Sequence, residues 1–205
     1  MKVDSLPTIE AFAEIEMLQD VVSCCVLGNS RFAVGTIDGK LQIFELDNLL
    51  QDADFDSAII SIIDPDESIV AASITGEIKS LTDSLNWHHE IQSGIEHMAQ
   101  LEDLICVSDT SGSIIFLDFK GDEVRTQSHG DVNQLAHSVD GRYLAIAKTD
   151  GTLLLSSKTG EILQESFADA EDVETISQIY FRSDGILLAC RDSLGMTLDE
   201  RPEIV

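Results

Sequence analysis

A strand–turn–strand pattern recurs along the chain and constrains its fold more than any other feature. Residues 31–44 read RFAVGTIDGKLQIF and residues 68–81 read SIVAASITGEIKSL, so the two segments align without a gap. Further copies occupy residues 103–117 and 142–155, and a looser copy occupies residues 185–198. Self-similarity of this kind indicates a protein built from repeated supersecondary units.

The period of the repeat is marked by one glycine in each turn. These glycines are Gly39, Gly76, Gly112, Gly151 and Gly195, so the steps between them are 37, 36, 39 and 44 residues. A period of about 40 residues with several strand-length segments is typical of β-propeller blades. The sequence therefore predicts an all-β fold, namely a β-propeller of about five four-stranded blades.

Each repeat is predicted to supply four strands. The first two are apolar, the second ends in a hairpin turn of the Asp-Gly type, the third alternates, and the fourth is polar. In the first repeat, residues 47–56 are predicted to form an acidic loop in place of a fourth strand. The predicted blades are residues 20–56, 57–93, 94–130, 131–168 and 169–205.

The N-terminal segment, residues 1–19, precedes the repeats and has two interpretations. Residues 8–15 can supply a clasp strand to the last blade, because little chain remains after the third strand of that blade. The same stretch has Ile9, Phe12 and Ala13 at helical spacing and can instead form a short helix. Without a clasp strand, the chain is either an open arc that oligomerises or binds a partner, or part of a larger propeller.

The charge of the chain restricts its partners. It has 38 acidic against 12 basic residues, a formal net charge of −26. Such a field repels phosphate backbones and anionic lipid surfaces, so neither nucleic acid nor membrane is predicted as a partner. The acidity indicates either a solvated surface suited to a salty cytoplasm or a docking face for a basic protein.

Cysteine usage and the apolar runs predict a cytoplasmic location. The four cysteines Cys24, Cys25, Cys106 and Cys190 lie in apolar strand-like segments without the spacing of a zinc or redox pair. They are predicted to be buried free thiols in a reducing compartment. No secretion signal and no membrane span is predicted, since the longest apolar runs have only strand length.

Over residues 20–199 the repeats resemble those of the WD-repeat and broader quinoprotein-like propeller superfamily. The resemblance rests on the turn before the second strand, as at Asp140-Gly141, on the Asp-Gly hairpin, as at Asp38-Gly39, and on the hydrophobic third strand. The Trp-Asp dipeptide that ends this strand in the family is absent, and residues 44–45 read Phe-Glu instead. The resemblance implies a rigid disc whose loops bind proteins, without chemistry or a cofactor of its own.

Candidate binding residues come mainly from the hairpin turns. Asp38, Asp109, Asp150 and Asp192 are predicted to ring one face, where they would bind a basic peptide or a hard cation such as calcium. Aspartate before glycine also forms turns through its own backbone, so a purely structural role is the competing interpretation. Trp87 is a further candidate, either as an exposed anchor for a partner or as packing between blades.

Catalytic interpretations have little support. Some propellers are glycosidases that use two carboxylates, but sugar sites also need stacking aromatics, and this chain has one Trp and two Tyr. His88 and His89 are adjacent and would point to opposite faces of a strand, so they do not form a metal pair. The first hypothesis is thus a protein-interaction scaffold, followed by a ligand- or cation-binding propeller and then by a propeller glycosidase.

Overall fold

The computed structural model describes residues 17–28, 30–65, 68–81, 86–166, 174–185 and 187–193. All elements in these residues are β-strands, which confirms the predicted all-β class. Across the described residues, no helix has the length and hydrophobicity that a membrane crossing requires.

The strands form four four-stranded antiparallel sheets and one two-stranded sheet, each of which we call a blade. Blade 1 contains β1 (Val21–Gly28), β2 (Arg31–Thr36), β3 (Lys40–Glu45) and β4 (Asn48–Asp54). Blade 2 contains β5 (Ile59–Ile63), β6 (Ile69–Ser73), β7 (Glu77–Leu81) and β8 (Trp87–Glu90). Blade 3 contains β9 (Ile95–Leu101), β10 (Leu104–Asp109), β11 (Ser113–Asp118) and β12 (Glu123–Ser128). Blade 4 contains β13 (Val132–His137), β14 (Tyr143–Lys148), β15 (Leu153–Ser157) and β16 (Ile162–Ser166).

Blade 5 comprises β17 (Glu174–Phe181) and β18 (Leu187–Ser193), which pair antiparallel as the first two strands of the other blades do. The third strand predicted for this blade lies outside the described residues. The clasp strand or short helix predicted for residues 8–15 also lies outside them.

Burial follows the position of each strand in its sheet. The second strands β6 and β10 are buried along their whole length, because they have a paired strand on each edge and a packed sheet on each face. The fourth strand β16 is exposed at most positions, since it forms the edge of its sheet. The order of the strands thus places apolar sequence inside and polar sequence at the rim.

The acidic loop predicted for residues 47–56 is wrong, because β4 forms there. It pairs with β3 from Lys40 opposite Asp54 to Glu45 opposite Asn48. An edge strand needs only one partner for its backbone groups, and the Lys40 ammonium lies 3.0 Å from an Asp54 oxygen across the pair. Acidic side chains that point to solvent therefore do not prevent a strand.

Consecutive blades stack through their first strands. β1 packs on β5, β5 on β9, β9 on β13, and β13 on β17. Each joint has an apolar cluster, with members such as Leu41 and Ile59 between blades 1 and 2, Ile78 and Ile105 between blades 2 and 3, Phe116 and Leu144 between blades 3 and 4, and Ala145 and Ile176 between blades 4 and 5. This arrangement is consistent with a WD40-type β-propeller.

The predicted burial of all the cysteines needs a correction. Cys106 is buried, Cys25 is half-buried and Cys24 is exposed, and all three are free thiols. Burial raises the pKa of both Cys106 and Cys25. Cys24 points away from blade 2, to a side of blade 1 that no other described sheet covers. The side chain of Cys190 lies outside what the structure describes.

Candidate partner-binding surface

The turns between the second and third strands share one backbone design. The four turn glycines within the described residues have positive φ, for example +85° at Gly39 and +82° at Gly112. The glycine carbonyl also accepts a hydrogen bond from the residue after the fourth strand, from Phe55 N to Gly39 O at 2.8 Å and from His129 N to Gly112 O at 3.0 Å. A Cβ at Gly39 would lie 2.5 Å from the Phe55 carbonyl oxygen, so this latch requires glycine.

Two polar positions complete each turn, one three residues before the glycine and one directly before it. In blade 1 these are Thr36, which is buried, and Asp38, which is exposed. The Thr36 hydroxyl donates to Asp38 Oδ1 at 2.5 Å and accepts from the Lys40 backbone N–H at 2.9 Å. The buried position therefore holds the turn, and the exposed position forms its tip.

Asp109 occupies the buried position of its turn and not the tip. Its carboxylate accepts hydrogen bonds from the Ser93 hydroxyl at 2.7 Å and from the backbone N–H groups of Ser111 at 3.0 Å and Ser113 at 2.8 Å. Burial opposes ionisation of Asp109, but these hydrogen bonds outweigh it and lower its pKa. Asp109 thus braces the turn of blade 3, and Ser111 is the tip there.

Asp150 is the tip of blade 4 and is exposed. It accepts a hydrogen bond from the Thr152 backbone N–H at 2.9 Å, which lowers its pKa, and Lys148 Nζ lies 3.5 Å from its other oxygen. Asp192 belongs to β18 and pairs through its backbone with Thr175, while its side chain lies outside the description. Asp38 and Asp150 are therefore equivalent tips of two blades, separated by the neutral tips of blades 2 and 3.

The described residues contain no group of three or more His, Cys, Asp or Glu side chains that could hold a metal ion. The offset of Asp109 from Asp38 and Asp150 is one reason, since its oxygens already bind hydroxyl and N–H donors. Cation binding by the predicted aspartate ring stays a prediction without supporting geometry.

Trp87 lies in the joint between blades 2 and 3. Its indole Nε1 donates a hydrogen bond to the Phe119 carbonyl at 2.8 Å, and its ring packs over Gly121. A Cβ at Gly121 would approach the ring to 2.5 Å. The side chain is half-buried, so the structure favours packing between blades over a free anchor.

Further carboxylates lie at the same end of the sheets as the hairpin turns. In blades 1 and 4 the first strand begins beside the turn between the second and third strands. Two hydrogen bonds show this, from Ile37 N to Asp20 O at 3.0 Å and from Thr149 N to Asp131 O at 3.1 Å. Asp20 and Asp131 are exposed there. Sequence reasoning missed both, although each directly precedes a predicted first strand.

Asp56 adds a carboxylate where blade 1 leads into blade 2. It accepts hydrogen bonds from the Thr75 hydroxyl at 2.8 Å and the Ser73 hydroxyl at 3.0 Å, and the bond from Thr75 is the largest of the effects that lower its pKa. We call the surface formed by these exposed carboxylates the hairpin face, and its members are Asp20, Asp38, Asp56, Asp131 and Asp150.

Cations at the hairpin face are paired. Lys40 lies 3.0 Å from Asp54, and Lys148 lies 3.5 Å from Asp150. The turns at the opposite end of the sheets carry further basic residues, namely Lys120, Arg142, Lys158 and Arg182. The opposite end also carries exposed acidic residues, among them Asp47, Asp103, Asp122 and Glu161, so both ends of the described sheets are acidic.

Residues 97–184 match the family model of the anaphase-promoting complex subunit 4 WD40 domain, and they include all but the first two residues of blade 3, all of blade 4 and all of β17. The match supports a WD-repeat β-propeller family. Curated proteins gave no match to the chain. WD40 domains generally bind protein partners and are typically without catalytic activity, which makes the exposed turns the first place to look for a contact surface.

The position of the WD-repeat dipeptide shows how this chain replaces it. In blade 3 the third strand ends with Leu117, which is buried, and Asp118. Asp118 Oδ1 accepts hydrogen bonds from the backbone N–H groups of Lys120 at 2.8 Å and Asp122 at 3.0 Å. The aspartate therefore caps the turn between the third and fourth strands, and an aliphatic side chain fills the place of the tryptophan.

Proposed function

We propose that this protein is a non-catalytic interaction scaffold whose hairpin face binds a basic segment of a protein partner. The observation that carries the proposal is that five exposed carboxylates lie at the end of blades 1, 2 and 4 that bears the turns between the second and third strands. The likeness of residues 97–184 to the WD40 domain of a subunit of the anaphase-promoting complex supports a role within an assembly of proteins.

Electrostatics favours a basic partner at this surface. The net charge of −26 raises the rate at which cationic segments meet the protein, and the hairpin face supplies carboxylates at short range. Contacts between exposed charges are screened by salt over about 8 Å at physiological ionic strength. Binding at this face is therefore expected to weaken as salt rises.

The chemistry of the turn carboxylates argues against catalysis. A general acid that works near neutral pH needs a raised pKa, whereas hydrogen bonds lower the pKa of both Asp109 and Asp150. These groups stay ionised and are suited to accept hydrogen bonds. We therefore do not include a glycosidase reaction in the proposed function.

We also propose about five blades and a cytoplasmic location. The two strands of blade 5 pair as the first two strands of the other blades do, and they pack on blade 4. The free thiols of Cys24 and Cys25 are of a kind that persists in a reducing compartment.

The test compares two variants with the same change in net charge. In the hairpin-face variant, Asp20, Asp38, Asp131 and Asp150 are each replaced by Asn. In the control, four exposed acidic residues at the opposite end are neutralised, with Asp47, Asp103 and Asp122 replaced by Asn and Glu161 by Gln. Proteins that co-purify with the parent chain from its own cells are identified by mass spectrometry, purified and titrated against all three forms.

We expect a purified partner to bind the parent and the control with similar affinity and to bind the hairpin-face variant at least tenfold more weakly. The affinity of the parent should also fall as salt rises, with a smaller slope for the hairpin-face variant. Equal binding to the two variants would remove the hairpin face from the proposal.

A further inference from the structure

Two aliphatic side chains lie among the carboxylates of the hairpin face. Ile37 and Ile74 directly precede the tips of blades 1 and 2 and are 55% and 51% exposed. At the equivalent position, blades 3 and 4 have Thr110 and Thr149, which are also exposed. Since these two turns form with threonine at this position, the turn itself does not require an aliphatic residue there.

The backbone around both isoleucines is already fixed by hydrogen bonds. Ile37 N donates to Asp20 O at 3.0 Å, and Ile74 N donates to Ala58 O at 2.9 Å. The Ile74 carbonyl accepts a further bond from Ile95 N at 3.2 Å. A β-branched side chain on such a backbone has little conformational freedom to lose when a partner binds, which favours its use as an anchor.

The segment after β4 joins the two turns to each other. Gly39 O accepts a hydrogen bond from Phe55 N at 2.8 Å, and the hydroxyls of Ser57 and Thr75 lie 2.7 Å apart. Asp56 lies within this link and accepts a hydrogen bond from the Thr75 hydroxyl at 2.8 Å. We call the two isoleucines of these neighbouring turns the aliphatic pair.

Carboxylates surround the aliphatic pair. Asp20 and Asp38 lie beside the first isoleucine, and Asp56 lies beside the turn of the second. Lys40, the cation of the blade 1 turn, is already paired with Asp54 at 3.0 Å. A segment that packs aliphatic side chains on the pair therefore gains from Lys or Arg next to them.

The same charge argues against this chain itself as the occupant. Outside the described residues, the longest segments are 1–16, 167–173 and 194–205. They have four acidic residues against one basic, three against none, and three against one, respectively. A second copy of the chain brings a net charge of −26. The acidic surroundings of the pair repel all of these and attract a basic partner.

We propose that the partner segment carries aliphatic side chains that pack on Ile37 and Ile74, with Lys or Arg beside them against the surrounding carboxylates. This inference rests on the proposed function, because it names the chemistry of the segment that binds the same hairpin face. Ion pairs between exposed charges contribute little affinity. The aliphatic contacts supply most of the affinity, and the charges supply the rate of encounter and the choice of partner.

The test selects peptides on the full-length protein. A display library of random peptides of about 12 residues, which span about 40 Å when extended, is selected at physiological salt on the parent and on the hairpin-face variant. We expect the peptides selected on the parent to combine aliphatic residues with Lys or Arg. The hairpin-face variant should lose the enrichment of Lys and Arg.

A matched pair of variants tests the isoleucines directly. The isoleucine variant carries Ile37→Thr and Ile74→Thr, and so has the residue that blades 3 and 4 have at this position. The control carries Val139→Thr and Ile162→Thr, which are 68% and 40% exposed and lie outside the hairpin face. In fluorescence anisotropy, a selected peptide should bind the isoleucine variant at least tenfold more weakly and bind the control as it binds the parent. Thermal unfolding should be the same for all three.

The outcomes separate this inference from the proposed function. Selection of basic peptides without aliphatic residues, or equal binding to the isoleucine variant and the control, would overturn the inference and leave the proposed function standing. Selection without enrichment of Lys and Arg would overturn both. Displacement of a selected peptide by a synthetic peptide of any of the three acidic segments would assign the aliphatic pair to this chain and also overturn the inference, as would a parent dimer that the isoleucine variant makes monomeric in light scattering.

Discussion

The first two strands of blades 1 and 3 pair in the same register, but the described strands that pack on the two blades differ. Val21 and Ile95 both pair with the residue three before the turn glycine, yet Val21 is 45% exposed and Ile95 is 1% exposed. Cys24 and Met98 are equivalent in the same way, and Cys24 is exposed while Met98 is buried. Among the described strands, blade 3 lies between two neighbouring blades, whereas blade 1 has one. The burial of a repeat is thus set by the sheets on either side of it.

The largest expected difference between the two blades is in how much equivalent apolar side chains contribute to the free energy of unfolding. Ile95→Ala should lower the free energy of unfolding by about 2–5 kcal/mol, because it leaves a cavity between blades 2 and 3. Val21→Ala, at the equivalent position, should change it by less than about 0.5 kcal/mol. Urea unfolding followed by circular dichroism measures both. A cost for Val21→Ala as large as that for Ile95→Ala would show that blade 1 is covered in solution.

The two blades also differ at a glycine in another turn, namely Gly28 at the end of β1 in blade 1 and Gly121 between β11 and β12 in blade 3. Gly121 and Gly28 both have positive φ, but a Cβ at Gly121 would contact the Trp87 ring, whereas one at Gly28 would meet no described atom within 4 Å. Gly28→Ala should cost about 1 kcal/mol for the backbone conformation alone. Gly121→Ala should cost about 1–3 kcal/mol more because the indole must move. Equal losses of unfolding free energy would mean that the joint at Trp87 is loose.

The two aspartates of the turns should differ in their structural importance. In Asp109→Asn, the buried carboxylate that accepts hydrogen bonds from two backbone N–H groups and from the Ser93 and Ser111 hydroxyls loses its charge, which should cost about 1–3 kcal/mol. Asp38→Asn, at an exposed tip, should cost less than about 0.5 kcal/mol. Denaturant midpoints of the two variants measure the difference. The reverse order would mean that the tip, and not the buried position, holds the turn.

The contribution of Asp109 should depend on pH. Its pKa is lower in the folded protein than in the unfolded chain, so its stabilisation is complete above the ordinary aspartate pKa of about 4. It is lost as the pH falls through the lowered folded value. The difference in unfolding free energy between the parent and Asp109→Asn should therefore shrink from pH 6 to pH 3, and a constant difference would contradict the role assigned to the carboxylate.

The smallest effect concerns thiol chemistry and leaves stability unchanged. Cys24 should react rapidly with a disulfide reagent in the native protein, Cys25 more slowly, and Cys106 only on unfolding, because burial raises the pKa of the latter two. Mass spectrometry of labelled peptides gives each rate.

The repeat itself could be predicted because it leaves local marks. Turns that require positive φ place glycine at fixed positions such as Gly39 and Gly112, and second strands such as β10 are apolar throughout. β4 was missed because an exposed edge strand shows neither apolar alternation nor a turn signal of its own. The sequence pattern therefore predicts the central strands of a blade more readily than its fourth, edge strand.

The site could be predicted only in part. Asp38 and Asp150 are tips as expected, but Asp109 lies two residues earlier in its turn and is buried. Aligning the repeats on their turn glycines already shows this offset in the sequence. Asp20 joins the tips only because the start of β1 lies beside a turn, which is a property of the folded sheet. The exposure of Cys24 depends on a neighbouring blade and leaves no mark in the sequence of β1.

The latch between the turn glycine and the residue after the fourth strand has an evolutionary consequence. Because main-chain groups and one buried side chain already fix the turns of blades 1, 2 and 3, the exposed tip contributes little to folding there, as the different tips Asp38 and Ser111 illustrate. Each tip can then be exchanged independently of the others. A lineage of such proteins can acquire new specificities by altering tips one at a time, without passing through unstable intermediates.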